Sequence, residues 1–181
     1  MTVPVWNGGR RDLSMDAIFT RRSIRKYETR DLDEDTIRKL LKAGMSAPSA
    51  VNERPWHFVV IRQTEVKDLI PDIHPHALMV REAPLVIAVC ADLDLEISQG
   101  YWVQDCAAAT ENILLEAHSL GLGAVWLGVH PREDRVRGLG KLLELPATVR
   151  VFSLIPVGYP AEDKEVHDRY EESRVHWKDK W

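Results

Sequence analysis

One long helical segment constrains this chain more than any other feature of its sequence. Residues 101–120, YWVQDCAAATENILLEAHSL, contain no Pro or Gly and are followed by Gly121, a residue type that commonly ends a helix. Apolar side chains extend around much of the predicted helix, and three small residues, Ala107 to Ala109, lie in its middle. A helix of this kind is buried on several sides. The rest of the fold must therefore be built around it.

Shorter apolar segments predict strands, and amphipathic segments predict further helices. The predicted strands are residues 57–62, 85–92, 123–129 and 149–159. The first predicted helix is residues 13–22, with Ser14 as N-cap and Met15 on the buried face. A second runs from Asp33 to about Gly44, a third covers residues 65–82 with breaks at Pro71 and Pro75, and a fourth covers residues 131–145. Residues 1–12 form a predicted arm and residues 159–181 a polar tail. Alternation of helices and strands, taken alone, predicts a doubly wound parallel sheet.

The composition predicts one soluble domain spanning residues 1–181, because there is no repeat and no linker. A net charge of -4 argues against nucleic-acid binding, and no apolar run reaches the length that crosses a bilayer. Residues 1–12 do not resemble a secretory signal. Cys90 and Cys106 lie in apolar segments, so we expect reduced, buried thiols and a cytoplasmic protein.

Common nucleotide, hydrolase and metal motifs are absent from the sequence. There is no GxxxxGK[ST], GxGxxG, HExxH or GxSxG motif, and no metal-type cysteine spacing. The pair His74 and His76 could bind a metal, but metal sites usually need three or four ligands. We therefore expect a solvated loop at this pair and no metal site.

Two other segments could bind an anion or could be ordinary surface. Residues 20–27, TRRSIRKY, contain four cations in a chain of net negative charge. Residues 46–61, SAPSAVNERPWHFVVI, contain polar turn residues before a strand. A basic cluster is most often a solvated face, whereas Arg also provides the forked hydrogen bonds that phosphate binding uses.

In their order along the chain, four segments resemble the flavin-binding signature of the nitroreductase family. They are RRSIR (21–25), PSAVNERPW (48–56), WVQDCAAATENILLEAHSLGLGAVWLGV (102–129) and PVGYPAE (156–162). The resemblance spans residues 14–177. It implies an α+β three-layer sandwich, in which helices flank a mixed, mainly antiparallel sheet. It also implies a domain-swapped homodimer whose tail, residues 159–181, wraps the partner and covers Trp177 and Trp181.

The resemblance also implies an FMN site, whose residues divide into four groups. Arg21, Arg22 and Ser23, with Arg169 from the tail, would bind the phosphate and ribityl end, and Arg25 would face the pyrimidine edge of the ring. From the partner subunit would come Pro48, Ser49, Ala50 and Asn52. Against the ring would lie Val125, Trp126, Leu127 and Gly128, with the Gly128 N–H directed at flavin N5. Cations at both ends match the phosphate dianion and the negative charge of the reduced ring.

The implied activity is an FMN-dependent NAD(P)H oxidoreductase. Hydride from NADH or NADPH would pass through flavin N5, in ping-pong fashion, to a nitroaromatic, a quinone or a similar electron-poor acceptor. No side chain would act as a nucleophile; Arg25 and the Gly128 backbone would tune the flavin. The alternatives are a reductive dehalogenase, a flavin-cleaving enzyme or a non-catalytic FMN-binding dimer. Arg54 replaces the family's Gln and is either a substrate-side cation or a surface residue, and residues 66–100 would form the lid.

Overall fold

The computed structural model of the protein describes residues 13–181, with side chains from Ala17 onward. The predicted arm at residues 1–12 and the side chains of Ser14, the predicted cap, and Met15 lie outside what is described. The helices are α1 (Leu13–Thr20), α2 (Glu34–Met45), α3 (Thr64–Ile73), α4 (Trp102–Ser119) and α5 (Glu133–Leu142). The strands are β1 (Trp56–Ile61), β2 (Leu85–Asp92), β3 (Gly123–Ala124), β4 (Leu127–Gly128) and β5 (Val149–Gly158).

Helix α4 is the predicted central helix, and it is buried along most of its length. Its buried side chains include Trp102, Cys106, Ala109 and Ile113, which recur at the three- and four-residue spacing of one helix face. The helix contacts α1 and α2 as well as the sheet strands β1, β2, β3 and β5. The long uninterrupted pattern in the sequence therefore corresponds to the element against which most of the fold packs.

The named strands form one sheet in the order β1-β2-β5, with β3 and β4 both paired to β5, and every pairing is antiparallel. The parallel sheet that alternation predicts is wrong, and the antiparallel sheet implied by the resemblance is confirmed. The connection from β1 to β2 shows why: α3 is followed by a 3-10 turn, Leu78–Arg81, that returns the chain to the same end of the sheet. A parallel contact does occur, as an isolated bridge between Ser23 and Ala124.

Two sequence-predicted elements differ from the structure in where they are interrupted. The strand predicted at residues 123–129 is interrupted, because β3 and β4 lie along β5 in the same register but are separated by Val125 and Trp126. Helix α3 continues through Pro71 rather than breaking there.

Two apolar cores lie on opposite faces of the sheet, and β2 contributes alternately to both. Leu85, Ile87 and Val89 belong to the core that contains α4, while Val86 and Cys90 belong to the core beneath α3 and α5. This placement explains why β2 is apolar at nearly every position, since both of its faces are covered.

The two cysteines are buried and unpaired, as their apolar surroundings predict. Burial raises the pKa of the Cys90 thiol to about 12 and also raises that of Cys106. Neither thiol is therefore a nucleophile near neutral pH. Within residues 13–181, the helices are all too short or too polar to cross a lipid bilayer.

Candidate functional site

The basic segment at residues 20–27 follows α1 and is fixed against β3. The N–H of Ile24 donates to the carbonyl of Ala124 at 3.0 Å. Gly123 permits this approach, because a Cβ atom on it would lie 2.6 Å from Cγ2 of Ile24. The hydroxyl of Tyr27 donates to the carbonyl of Ile24 at 2.7 Å. The backbone that carries the arginines is therefore held rigidly by the sheet edge.

A cavity of about 720 Å³ lies between this segment and the C-terminal tail. Arg21, Arg22, Ser23 and Arg169 line it, so the structure brings together the residues that the resemblance assigns to a phosphate. The other lining residues are Ile18, Phe19, Val166, His167, Asp168 and Tyr170. Asp168 is the only carboxylate among these lining residues, so cations predominate around the cavity.

The tail is attached to the basic segment by polar contacts that sequence reasoning missed. Lys164 Nζ donates to the Ser23 carbonyl at 2.8 Å, and Arg22 Nε donates to the Glu165 carbonyl at 2.8 Å. The Arg25 N–H donates to Glu162 Oε1 at 2.5 Å, and this bond, with Lys164 nearby, lowers the pKa of the Glu162 carboxyl. The only signal in the sequence is the mixed-charge run EDKE at residues 162–165, which does not indicate where the run packs.

Two guanidinium nitrogens at this cavity are buried without a hydrogen-bond acceptor in the described part of the chain. They are Arg22 Nη2 and Arg21 Nε, of which the latter lies 3.5 Å from Glu111 Oε1. Behind them, burial and the charges of Arg21 and Arg22 lower the pKa of His118, whose Nε2 lies 2.8 Å from Thr20 Oγ1. Buried cationic donors of this kind match the acceptor oxygens of a phosphate group.

The segment at residues 48–54 lies away from this cavity in the same chain. Pro48 and Asn52 are exposed, and the Ser49 hydroxyl accepts the Arg54 N–H at 3.0 Å. The Ala50 N–H donates to Asp105 Oδ1 on α4 at 3.0 Å. The predicted site residues therefore fall into two groups within one chain, and Pro48, Ser49, Ala50 and Asn52 do not line the arginine cavity. The Arg54 side chain is exposed.

Along residues 125–128 the backbone is the accessible feature. Val125 and Leu127 are buried in the core and Trp126 packs on Phe152, whereas Gly128 is exposed, with open space where a Cβ would lie. The Val129 N–H donates to Phe152 in β5. In an antiparallel pair, only every second residue directs its backbone N–H and C=O groups at the partner strand. Val129 is such a residue, so the N–H of the neighbouring Gly128 points away from β5. Arg25, assigned to the ring's edge, is exposed, and its Nη1 lies 3.5 Å from the Ser23 carbonyl.

His74 contacts the Gly128 carbonyl, which overturns the predicted solvated loop for this residue, whereas His76 is exposed. Its side chain is 3 % exposed, and Nε2 lies 3.0 Å from the Gly128 carbonyl. Arg135 Nη1 donates to the same carbonyl at 3.3 Å. Burial and the neighbouring Arg135 lower the pKa of His74, so a neutral imidazole donates through Nε2. Across residues 13–181, no group of three or more His, Cys, Asp or Glu side chains is placed to hold a metal ion.

The comparison with protein families identifies the chain. The family model described as "Nitroreductase family" matches residues 18–79 and 74–159. The chain belongs to the nitroreductase family. The resemblance drawn from the four sequence segments is thereby confirmed.

Similar proteins agree with this assignment over nearly the whole chain. A relative from Methanothermobacter thermautotrophicus is 54 % identical over 167 residues, which are 92 % of this chain and 87 % of the relative. A crystal structure from Parabacteroides distasonis has a TM-score of 0.89 and 37 % identity, and covers 94 % of this chain and 99 % of its own. Both carry the description "putative NADH dehydrogenase/NAD(P)H nitroreductase".

A third member of the family is described by its cofactor. The FMN-dependent nitroreductase from Clostridium difficile R20291 has a TM-score of 0.84 and 28 % identity, and the match covers 91 % of this chain and 98 % of that one. These likenesses confirm the α+β nitroreductase fold.

Proposed function

We propose that this nitroreductase-family protein is an FMN-dependent NAD(P)H oxidoreductase that reduces nitroaromatics, quinones or similar electron-poor acceptors. The observation that carries the proposal is the cavity lined by Arg21, Arg22, Ser23 and Arg169, where Arg22 Nη2 is buried without an acceptor. The name of the C. difficile relative supports the choice of FMN, and the names of the other two support NAD(P)H as the donor.

The phosphate end of FMN fits the arginine cavity. Arg22 is already held by its other nitrogens, which donate to the carbonyls of Glu165 and Arg21, so Nη2 is presented in a fixed direction. Arg21 and Arg169 add positive charge from the two sides of the cavity, and the Ser23 hydroxyl adds a neutral donor. A dianionic phosphate would receive charge-assisted hydrogen bonds from the arginines.

The remaining site residues require a second subunit. Because residues 48–52 lie away from the cavity of their own chain, we propose that in a homodimer Pro48, Ser49, Ala50 and Asn52 complete the site of the other subunit. The single chain exposes large apolar side chains that support this assembly, since such surfaces are usually covered. They include Phe19, Ile97, Trp177 and Trp181, whose exposed fractions range from 72 % to 102 %.

The protein's contribution at the ring end is positioning and charge. Bound FMN supplies the two-electron chemistry, accepting hydride from NADH or NADPH and passing reducing equivalents to the acceptor. The Gly128 N–H, directed out of the sheet edge, would donate to the ring nitrogen, and the Arg25 cation would stabilise negative charge at the pyrimidine edge. The buried, protonated thiols of Cys90 and Cys106 take no part, and they support a reducing, cytoplasmic compartment.

An anaerobic titration tests this function. Purified protein reconstituted with FMN is mixed with NADH or NADPH, and the flavin absorbance is followed before and after addition of a nitroaromatic or a quinone. We expect bleaching by the nicotinamide and recovery of the colour on addition of the acceptor. A protein that binds FMN but does not bleach with either nicotinamide would be a flavin-binding dimer without this activity.

A further inference from the structure

Two carboxyl groups meet beneath the segment that carries Ser49, Ala50 and Asn52. Asp105, in the first turn of α4, is 4 % exposed. Its Oδ1 accepts the Ala50 N–H at 3.0 Å, and its Oδ2 is buried with no hydrogen-bond donor in the described chain. One oxygen of this carboxyl is therefore satisfied and the other is not.

Glu53 also has one hydrogen-bonded and one unpaired carboxyl oxygen. Its Oε2 accepts the N–H groups of Ile97 and Ser98 at 2.7 and 2.8 Å, which ties the segment to the loop before α4. Its Oε1 is buried without a donor among residues 13–181. The side chains of Glu53 and Asp105 lie within hydrogen-bonding reach of each other.

A single proton satisfies both unpaired oxygens. If both carboxyl groups were ionised within hydrogen-bonding reach of each other, they would repel, and each would leave one buried oxygen without a donor. We propose that Asp105 and Glu53 share one proton and that this acid–carboxylate pair is a positioning device, which holds residues 49–53 on α4 and on the loop at residues 96–98. Asp105 donates the proton to Glu53, because Glu53 already accepts two backbone N–H bonds that favour its ionised form.

The charges around the pair support this assignment. Burial raises the pKa of Asp105 above its ordinary value; the Ala50 N–H opposes the rise, whereas Glu53 and Glu96 add to it. For Glu53, burial acts to raise the pKa, but the N–H groups of Ser98 and Ile97, together with Asp105, bring it below its ordinary value. Glu96, from the loop before α4, and Glu53 are the charged groups that act on Asp105, and both are acidic.

The segment needs such a device because its backbone is strained. Val51, Asn52 and Arg54 have φ angles of 42°, 61° and 49°, in the left-handed region that side chains disfavour. Conformations of this kind persist only where surrounding contacts hold them. The pair supplies contacts on both sides of Val51 and Asn52, at Ala50 and at Glu53.

The consequence for cofactor binding rests on the proposed function, in which residues 48–52 complete the partner's flavin site. Since the pKa of Asp105 is raised on folding, the stabilising contribution of Asp105 is complete below the ordinary Asp pKa of 3.8 and is lost as the pH rises through the raised value. The pKa of Glu53 is lowered on folding, so the contribution of Glu53 is lost as the pH falls from the ordinary Glu pKa of 4.5 through the lowered value, and the shared proton holds the segment between these two limits. Deprotonation leaves two facing carboxylates and releases the segment. FMN affinity would then fall as the pH rises.

Amide replacements separate the shared proton from simple loss of contact. In the Asp105→Asn variant the amide N–H₂ takes the place of the shared proton, while the amide oxygen still accepts the Ala50 N–H. In Glu53→Gln the amide oxygen accepts the two loop N–H bonds, and its N–H₂ donates to ionised Asp105. The double variant places two N–H₂ groups face to face. The Asp105→Leu variant removes the interaction altogether.

Hydrogen exchange on the flavin-free protein measures the segment directly. For the amides of Ala50, Ile97 and Ser98 we expect wild-type protection to decrease as pH rises from 5 to 9, and Asp105→Asn to keep its protection across that range. Asp105→Leu and the double variant should exchange at least about tenfold faster than Asp105→Asn. The amide of Thr36, which donates to Asp33 at 2.7 Å, is the control and should not respond to these variants.

The outcomes separate this inference from the proposed function. The shared-proton proposal is wrong if Asp105→Asn loosens the segment as much as Asp105→Leu does. It is also wrong if the double variant is as protected as the two single amide variants, Asp105→Asn and Glu53→Gln. A protein that shows the expected exchange pattern but binds no FMN refutes the proposed function and leaves the pair intact. If FMN affinity is the same in all variants while exchange differs, the link from the pair to the cofactor is wrong.

Discussion

At the scale of single residues, Arg22 shows how one side chain joins the tail to the cavity. Its Nε donates to the Glu165 carbonyl, and its Nη1 donates to the carbonyls of Arg21 and Phe19 at 2.7 and 3.2 Å. Nη2 remains buried without an acceptor in the described residues. A planar guanidinium can hold the backbone on one side and present a donor on the other, which the single ammonium group of Lys cannot do.

Arg22→Lys should therefore weaken FMN binding while keeping the charge. We expect the dissociation constant to rise by about tenfold to a hundredfold, which corresponds to the loss of about 1.5–3 kcal/mol for a hydrogen bond to a charged group. Flavin fluorescence titration measures the change. Arg137→Lys, an exposed position on α5, is the matched control and should bind FMN as the wild type does. Equal affinities for the wild type and Arg22→Lys would remove Arg22 from the site.

Gly128 offers a second test at the residue scale, because nothing lies within 4 Å of the position of its missing Cβ. Gly128→Ala should fold with unchanged stability, but the added methyl group would meet the ring that we place against this residue. Gly140→Ala is the control, since its Cβ position is equally open. We expect only Gly128→Ala to weaken FMN binding, while thermal unfolding of the two variants stays close to that of the wild type. Unchanged FMN affinity in Gly128→Ala would place the ring elsewhere.

At the scale of elements, the site depends on how closely the basic segment approaches β3. Ile24 bonds to Ala124 and packs over Gly123, so the sheet edge fixes the backbone from which Arg21, Arg22 and Ser23 project. The cavity's other wall is the tail, which Lys164 holds to the same segment. The positions of both walls therefore depend on β3, directly for the basic segment and through that segment for the tail.

Gly123→Ala should disturb fold and site together. The new Cβ would lie 2.6 Å from Ile24 Cγ2 and 2.7 Å from Ile24 Cβ, so the segment must shift. We expect a loss of about 1–3 kcal/mol in the free energy of unfolding, as for other overpacked positions. Urea denaturation measures this loss, and flavin titration should show weaker FMN binding. A variant that is destabilised but binds FMN normally would show that the arginines do not depend on this contact.

The elements also show what could be predicted from the sequence. Helix α4 and strand β2 were predictable because burial on several sides leaves apolar residues at most positions. The directions of the strands were not predictable, because an alternation of helices and strands does not specify at which end of the sheet each connection enters the next strand. The antiparallel arrangement came instead from the family resemblance. The approach of His74 to Gly128 was missed because it joins residues 54 apart that share no local pattern.

At the scale of the whole molecule, the exposed aromatic side chains of the tail indicate that a partner surface covers them. Trp177 and Trp181 are 76 % and 102 % exposed in the single chain. The arginine cavity and the segment at residues 48–52 lie apart within one chain, so a two-subunit site would explain both observations. The resemblance to the nitroreductase family implied this division of the site between two subunits, and it also implied that the tail wraps the partner.

Deleting residues 171–181 should therefore weaken the dimer and FMN binding together, while Arg169 and Tyr170 stay in place at the cavity. We expect sedimentation velocity to show a dimer for the full chain and a shift toward monomer for the truncated one. Lys178→Ala, an exposed tail position, is the control and should remain dimeric. If the truncated chain remained a dimer with wild-type FMN affinity, the tail would not be the swapped element.

The most direct test of a phosphate-binding flavin site is to compare FMN with riboflavin, which lacks the phosphate. Titration of the flavin-free protein should give one FMN per chain and an affinity for FMN at least about a hundredfold above that for riboflavin, since several charge-assisted hydrogen bonds would be lost. Equal affinities for the two flavins, or no binding of FMN, would contradict the assignment of Arg21, Arg22, Ser23 and Arg169 to the phosphate.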